Sequence, residues 1–280
     1  MTPNELIKRG SNFLKQNNIK TYLIDSELIF SSVSGQKREK FLLDPNFELN
    51  SKQIRLYNNL ISRRALAREP IAYLLKNKEF WSIKFNVDKD VLIPRPETEI
   101  LVEELVKHFK NCKPLILDIG TGSGCIIISL LQELKKSQGI AIDISIKALS
   151  MAKRNSKINN TFGRIKFINT SISKFNHFKF DLIVSNPPYL SISEYKKTSI
   201  SVKKFDPKIA LLGGIDGLLF YKYFSKKIPK IMKKNSYLIL EIGETQGSKC
   251  IELLSKSGLK LIKKSKDLQK KDRILVFSKV

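Results

Sequence analysis

Asn186-Pro187-Pro188-Tyr189 is the stretch of this chain whose chemistry is most constrained. It follows Phe180-Asp181-Leu182-Ile183-Val184-Ser185, an apolar run that reads as a buried strand. Two consecutive prolines remove two ladder donors and force an extended turn, so the strand must stop there. A side-chain amide, carbonyls without ladder partners and an aromatic ring are thereby delivered to one sheet edge. Such a set accepts hydrogen bonds from a planar NH2 group and stacks on it. An amide or aryl NH2 is a poor nucleophile because its lone pair is delocalised. The Asn186 side-chain oxygen and the Pro187 carbonyl can each take one N–H and direct that lone pair. Tyr189 covers the planar face, and Pro188 belongs to the same substrate-binding loop. Catalysis here rests on positioning and preorganised dipoles, with no required nucleophile or metal.

A second group of residues bears on what the nitrogen would attack. Asp118-Ile119-Gly120-Thr121-Gly122-Ser123-Gly124-Cys125 closes one apolar run and opens another with helical spacing. Glycines at alternate positions let the backbone approach a ligand closely, and the helix start offers N–H groups. Taken alone, such a turn also suits a plain strand–helix connection or a nicotinamide dinucleotide, whose glycines are spaced G-x-G-x-x-G. The spacing G-x-G-x-G, with Asp118 two residues ahead, suits a cofactor without a pyrophosphate and points to S-adenosylmethionine. Asp143, at the end of Gly139–Ile142, is placed to take both hydroxyls of a ribose. Its plainer role is a turn or cap acid for the next helix. Residues Asn169 to Ile172, after the third strand, are expected beside the adenine. His108 and His177 lie outside these motifs and read as surface or packing residues.

The elements that must position these groups alternate strand and helix, the mark of a parallel sheet covered on both faces. Strands are predicted at Leu115–Asp118, Gly139–Ile142, Ile165–Ile168, Asp181–Val184, Tyr237–Glu241, Leu259–Lys263 and Arg273–Phe277, the last two able to pair as an antiparallel hairpin. Helices are predicted near Cys125–Leu134, Ile146–Asn159, Leu218–Met232 and Gln246–Ser255. Lys196-Lys197 to Lys203-Lys204 reads as a polar loop. Ahead of the sheet, residues 2–68 read as helices. One starts at Thr2-Pro3 with Leu6, Ile7, Phe13 and Leu14 on one face. Another spans Tyr22–Val33, and a short one spans Arg38–Leu43. A longer one is capped by Asn50 or Ser51 and carries Ile54, Tyr57, Leu60 and Ile61 inward. Ile71 to Ile93 reads as a β-hairpin connector. Pro94-Arg95-Pro96-Glu97-Thr98-Glu99 leads into a helix whose first acids complement its dipole.

Length and composition set the frame. The 280 residues suffice for about two domains, and 42% hydrophobic residues can fill a core. The net charge of +25 fits a nucleic-acid footprint, but the lysines are spread over every segment instead of forming a stripe. Composition is the better reading. Three unpaired-looking cysteines, no long apolar leader and no apolar run of membrane-spanning length lead to the expectation of a cytoplasmic protein without a membrane partner.

With these residues in place the chain resembles the HemK/PrmC family along nearly its whole length. The resemblance is carried by Asp25-Ser26-Glu27-Leu28, Leu92-Ile93-Pro94-Arg95-Pro96-Glu97-Thr98-Glu99, the Asp118–Gly124 loop and Ile183–Tyr189. It continues through Phe205-Asp206-Pro207, Gly213-Gly214-Ile215-Asp216-Gly217-Leu218, Leu240-Glu241-Ile242-Gly243 and Lys266-Asp267-Leu268. It implies a seven-stranded Rossmann-like class I methyltransferase domain at 95–280, a helical substrate-docking domain at 1–70 and a hairpin linker at 71–94. It further implies methylation of the glutamine amide in the Gly-Gly-Gln motif of class I peptide chain release factors. Cofactor contacts carry over to Gly120, Thr121, Gly122, Ser123, Gly124, Asp143, Ser171 and Asn186. No obligatory nucleic acid is implied, and a monomer is expected. Lys76 stands where the family usually has glycine, Asp206 replaces a glutamate, and Asn169-Thr170 replaces Gly-Asp. The tetrapeptide alone also fits methylation of adenine or guanine amines in nucleic acid. A non-catalytic scaffold on the same fold would show degraded motifs, and these are intact.

Overall fold

The computed structural model describes residues 2–37, 40, 48–176 and 179–279. The expected helix at Arg38–Leu43 and His177 lie outside the described residues. The chain forms two compact units, Met1–Lys76 with Ser199–Phe205, and Asn77–Thr198 with Asp206–Val280.

The first unit packs α1 (Pro3–Gln16), α2 (Tyr22–Ser34), α3 (Ser51–Leu66) and the short α4 (Ile71–Leu75) around one apolar cluster. Thr2 caps α1 in a reciprocal box with Glu5, and Asn50 caps α3 likewise with Gln53. Leu6, Ile7 and Leu14 are buried as expected, but Phe13 lies on the exposed side of α1. Tyr57, fully buried on α3, shares its hydroxyl with Ser26 at 2.6 Å and donates to the Leu6 carbonyl at 3.3 Å. That ring lies against Gly10, where a Cβ would collide with the Tyr57 hydroxyl. Asp25 of the Asp-Ser-Glu-Leu stretch is buried in an ion pair with Arg64 at 2.7 Å.

Residues 71–75 are helical and not part of a hairpin. Ala72, Tyr73 and Leu74 are consecutively buried, which an alternating strand cannot achieve with one covered face. Lys76 ends this helix in the left-handed region at φ +57°, the conformation that a glycine adopts without strain. The hairpin itself is confined to β1 (Asn77–Phe80) and β2 (Ile83–Asn86). Trp81 and Ser82 form its two-residue turn, both at positive φ, matching the twist of the strands. No strand follows at Val91–Ile93.

The second unit is built on a seven-stranded sheet in the order β5-β4-β3-β6-β7-β9-β8. Its strands are β3 (Leu115–Ile119), β4 (Gln138–Asp143), β5 (Ile165–Asn169), β6 (Phe180–Ser185), β7 (Met232–Glu241), β8 (Leu259–Lys266) and β9 (Asp272–Lys279). The first five are parallel, whereas β9 runs antiparallel between β7 and β8. Alternation along the strands sorts side chains into two layers. Leu117, Ile183, Leu238 and Leu275 face α10 (Leu219–Ile231) and α11 (Gly247–Ser255). Ile116, Leu182, Ile239 and Ile274 face α5 (Glu99–Phe109), α6 (Cys125–Glu133) and the hairpin residues Phe80 and Phe85. The expected polar loop at 196–204 is instead two short helices, α8 (Ile192–Lys197) and α9 (Ile200–Phe205). Ser191 starts α8 through a capping box with Glu194, a local signal that outweighs the lysines.

Candidate active site

In the strand order, β3 lies between β4 and β6, so the crossovers from β3 diverge to opposite sides of the sheet. At such a switch point the loops beyond the carboxyl ends leave a crevice. Here the loops are Gly120–Gly124 after β3, Asp143–Ser145 after β4, Thr170–Ser173 after β5 and Asn186–Tyr189 after β6. A cavity of about 320 Å³ opens between them, lined by Gly120, Gly122, Asp143, Ser171, Asn186, Pro187 and Pro188 among others. Ser185 ties two of these loops together by donating to the Ile119 carbonyl at 2.7 Å.

The glycine loop has its amides turned inward. Gly120 and Thr121 donate to the Ile142 carbonyl, Gly124 to the Thr121 carbonyl, and Gly122 to the Asp143 carboxylate at 3.0 Å. A pyrophosphate cradle needs such N–H groups free and aimed at the anion. Among the described residues no lysine, arginine or histidine lines the cavity, although the chain carries a net +25, while Asp90 and Asp143 both do. These two features weigh against the dinucleotide alternative and favour a ligand with a cationic centre, an apolar body and sugar hydroxyls. Asp143 accepts from Gly122 and, at 2.8 Å, from the Ser145 amide. It is therefore both the turn acid and a cavity wall, and a carboxylate keeps acceptor capacity beyond two bonds. Burial raises its pKa, opposed by those amide bonds.

Not every expected contact faces the cavity. Thr121 is buried beneath the loop and donates to Asp118 at 2.8 Å. Ser123 is also buried, and Gly124 sits at φ +81° where a Cβ would come 2.8 Å from Ile128 and press on Ala152. Burial pushes Asp118 up to about 7, with the Thr121 bond opposing. Beyond β5, Asn169 turns its amide to the Asp143 and Ile144 carbonyls, at 2.9 and 3.0 Å. Thr170, Ser171 and Ile172 form the wall there, with Ile144 also lining the cavity.

The tetrapeptide is held from behind. Asn186, which lines the cavity, donates Nδ2 to Thr98 Oγ1 at 3.1 Å, so Oδ1 is the end of the amide available to accept. Thr98 in turn donates to Glu241 Oε2 at 2.6 Å. Burial pushes Glu241 up to about 7, while the Thr98 bond, the Arg273 charge and the Asn186 amide draw it down. Gln246 donates to the Tyr189 carbonyl at 2.7 Å and the Gly217 carbonyl at 3.2 Å, and accepts from the Gly243 amide. Gly213 donates to the Leu190 carbonyl. A Cβ on Gly213 would come 2.6 Å from the Pro188 oxygen, which is why that strip is glycine-rich. Tyr189 is packed against the core with a phenol pushed up to about 12 by burial. Arg95 pairs with the buried Asp206 at 2.7 Å, linking Leu92–Glu99 to Phe205-Asp206-Pro207. Thr98, Glu241 and Gln246 carry no role in the sequence reading. Thr98 and Glu241 stood inside quoted motifs, whereas Gln246 was marked only as a helix start. His108 bonds the Glu104 carbonyl in its own helix, away from the cavity residues.

A cavity at this switch point, an acid after β4 and β9 inserted antiparallel beside β7 define a class I methyltransferase, the class that draws its methyl group from S-adenosylmethionine. The same fold appears in a methyltransferase from Pyrococcus furiosus, with TM-score 0.52 and 17% identity over 82% of this chain and 98% of that one. The hMettl16 catalytic domain, solved with an RNA hairpin, gives TM-score 0.57 and 17% identity over 84% and 85% of the two chains. Residues 96–204 match the methyltransferase small domain and residues 5–75 the PrmC N-terminal domain. The release factor glutamine methyltransferase of Fusobacterium nucleatum is 36% identical over 98% of this chain and 78% of its own length. That of Clostridium acetobutylicum is 34% identical over 97% and 96%. The chain belongs to the HemK/PrmC family of release factor glutamine methyltransferases. It is also 35% identical to the bifunctional methyltransferase of Rickettsia typhi, but spans only 57% of that protein's length.

Proposed function

We propose that this protein transfers a methyl group from S-adenosylmethionine to the side-chain amide nitrogen of the glutamine in the Gly-Gly-Gln motif of class I peptide chain release factors. The observation that carries the reading is the Asn186 amide, which lines the cavity and is fixed through Nδ2 on Thr98 so that its oxygen is the end available to accept. Family membership supports a glutamine over a nucleobase as the acceptor. The bound cofactor would supply an electrophilic methyl on a cationic sulfur. Gly120, Gly122, Asp143, Ser171 and Asn186 are the cavity-lining residues that would hold it; Asp143 would take the ribose hydroxyls. Thr121, Ser123 and Gly124 would act behind them by shaping the loop. Asn186 Oδ1 and the Pro187 carbonyl would accept the two amide hydrogens, Tyr189 would flank the planar group and Pro188 would close the loop. The helical unit would dock the release factor as its partner, with the protein acting as a monomer in the cytoplasm. Among the described residues no helix is long and apolar enough to cross a membrane.

The test is transfer of labelled methyl to purified release factor, with RNA and DNA as parallel acceptors. Label in the glutamine of the release factor, lost in Asn186→Ala while cofactor binding weakens less, is the expected result. Label in nucleic acid, or wild-type turnover by Asn186→Ala, overturns the reading.

A further inference from the structure

The buried carboxylate of Glu241 is not used by any step described above, and its surroundings suggest a role. It lies at the end of β7, which pairs with β6 so that Leu240 is opposite Ser185, the residue before Asn186. Glu241 and Thr98 are 1% and 2% exposed, so neither meets solvent. Arg273 is close enough to act on Glu241 through space, yet its guanidinium bonds Asp267 at 2.9 Å. A buried acid without a direct cationic partner is costly, and an apolar replacement commonly leaves a protein as stable or more so. An acid placed there at such a cost is a candidate for a role beyond stability.

From these contacts we infer that Glu241, acting with Thr98, is a positioning residue that sets which end of the Asn186 amide faces the substrate. In its ionised form, populated above about pH 7, Glu241 only accepts, so the Thr98 hydroxyl gives its single hydrogen to it at 2.6 Å. The Thr98 oxygen is then left only with lone pairs and must be met by a donor, the NH2 end of Asn186 at 3.1 Å. Asn186 Oδ1 consequently points to where the acceptor amide presents its N–H. A turned amide would offer NH2 against NH2 and repel the substrate. This inference rests on the proposed glutamine methylation, and it joins two motifs distant in sequence through one hydrogen-bond direction.

The experiment compares Thr98→Val, which keeps the shape and removes the relay, with Thr98→Ser, which keeps the hydroxyl. Steady-state methylation of release factor, cofactor affinity by calorimetry and melting temperature are measured for each. The relay predicts a kcat loss of roughly 10- to 100-fold for Thr98→Val, as expected for a misplaced contact at the reacting centre. Cofactor affinity should stay within about threefold, the melting temperature should fall because a buried acceptor loses its donor, and Thr98→Ser should restore most of kcat and of the melting temperature. Glu241→Gln, which still offers an oxygen to Thr98, should lie between them. Thr98→Val that melts early but turns over normally per folded molecule would overturn the relay and leave a mere latch. Wild-type protein that fails to methylate release factor would overturn the functional reading, and the relay with it.

Discussion

Gly213→Ala isolates the contact that holds the catalytic loop. Gly213 has no positive φ, so alanine meets no backbone penalty and the perturbation is purely steric. Its Cβ would lie 2.6 Å from the Pro188 oxygen, 2.8 Å from the Gly217 oxygen and 2.9 Å from Tyr189 Cα, where ordinary contact begins at 3.4 Å. All three neighbours are backbone atoms, so relief requires the 188–189 segment or the glycine strip to move by roughly 0.5–0.8 Å, the shortfall from ordinary contact. Gln246 and the Leu190–Leu212 bridge resist that movement, because they tie the same segment at adjacent points. Overpacking of this kind costs about 1–3 kcal/mol of stability. A shift of that size at the acceptor carbonyls should lower single-turnover methyl transfer by about 10- to 100-fold. Cofactor affinity should fall less than transfer, since Gly213 itself does not line the cavity and only the displaced Pro188 does. Gly163→Ala is the control, with open space around its Cβ and no positive φ. The assay is single-turnover transfer to release factor at saturating cofactor, paired with a denaturant titration. Wild-type transfer by a folded Gly213→Ala protein would refute the claim that this strip sets the Pro188 position.

Three further perturbations test other links. Gly10→Ala drives a methyl into the Tyr57 hydroxyl network and should destabilise the helical unit by about 2 kcal/mol or more, read by chemical denaturation; an unchanged midpoint would dismiss the close packing. Lys76→Gly relieves a left-handed lysine and should stabilise by up to about 1 kcal/mol, provided the site tolerates glycine's added freedom; a fall in stability would show that Lys76 contributes more than strain. Asp118 and Glu241, both raised to about 7 from 3.8 and 4.5, stay protonated in the folded chain at pH values where the unfolded chain has released the proton. Their contribution is full below about pH 4 and is lost as pH rises toward 7, amounting to on the order of 3–4 kcal/mol each. Asp118→Asn or Glu241→Gln should therefore flatten the decline of stability between pH 5 and 8 relative to wild type. Parallel pH curves for variant and wild type would reject the raised values.

Much of this protein was legible from residue order because the signals were local. Strand and helix periods, the double proline after β6 and the caps at Thr2 and Asn50 depend on neighbours within a few positions, and the structure places the expected elements there. The residue types at Asn186–Tyr189 and Gly120–Gly124 named a class of chemistry for the same reason. Residues 71–75, without a decisive local signal, became helical through burial in the first unit, whereas the helix at 192–197 had a local signal, the Ser191–Glu194 capping box, that the lysine-rich reading passed over. Tertiary structure alone decided which side chains meet. The divergence of crossovers at β3 put the glycine loop, Asp143 and Asn186 around one cavity, turned the exposed Asn169 onto the Asp143 carbonyl and left Thr121 and Ser123 beneath the loop. Thr98, Glu241 and Asn186 are separated by 88 and 55 positions in the chain, and no periodicity links them. Only the pairing of β6 with β7 and the start of α5 bring an oxygen, a hydroxyl and an amide within hydrogen-bond reach, because a directional contact depends on distance in space and not on distance in sequence.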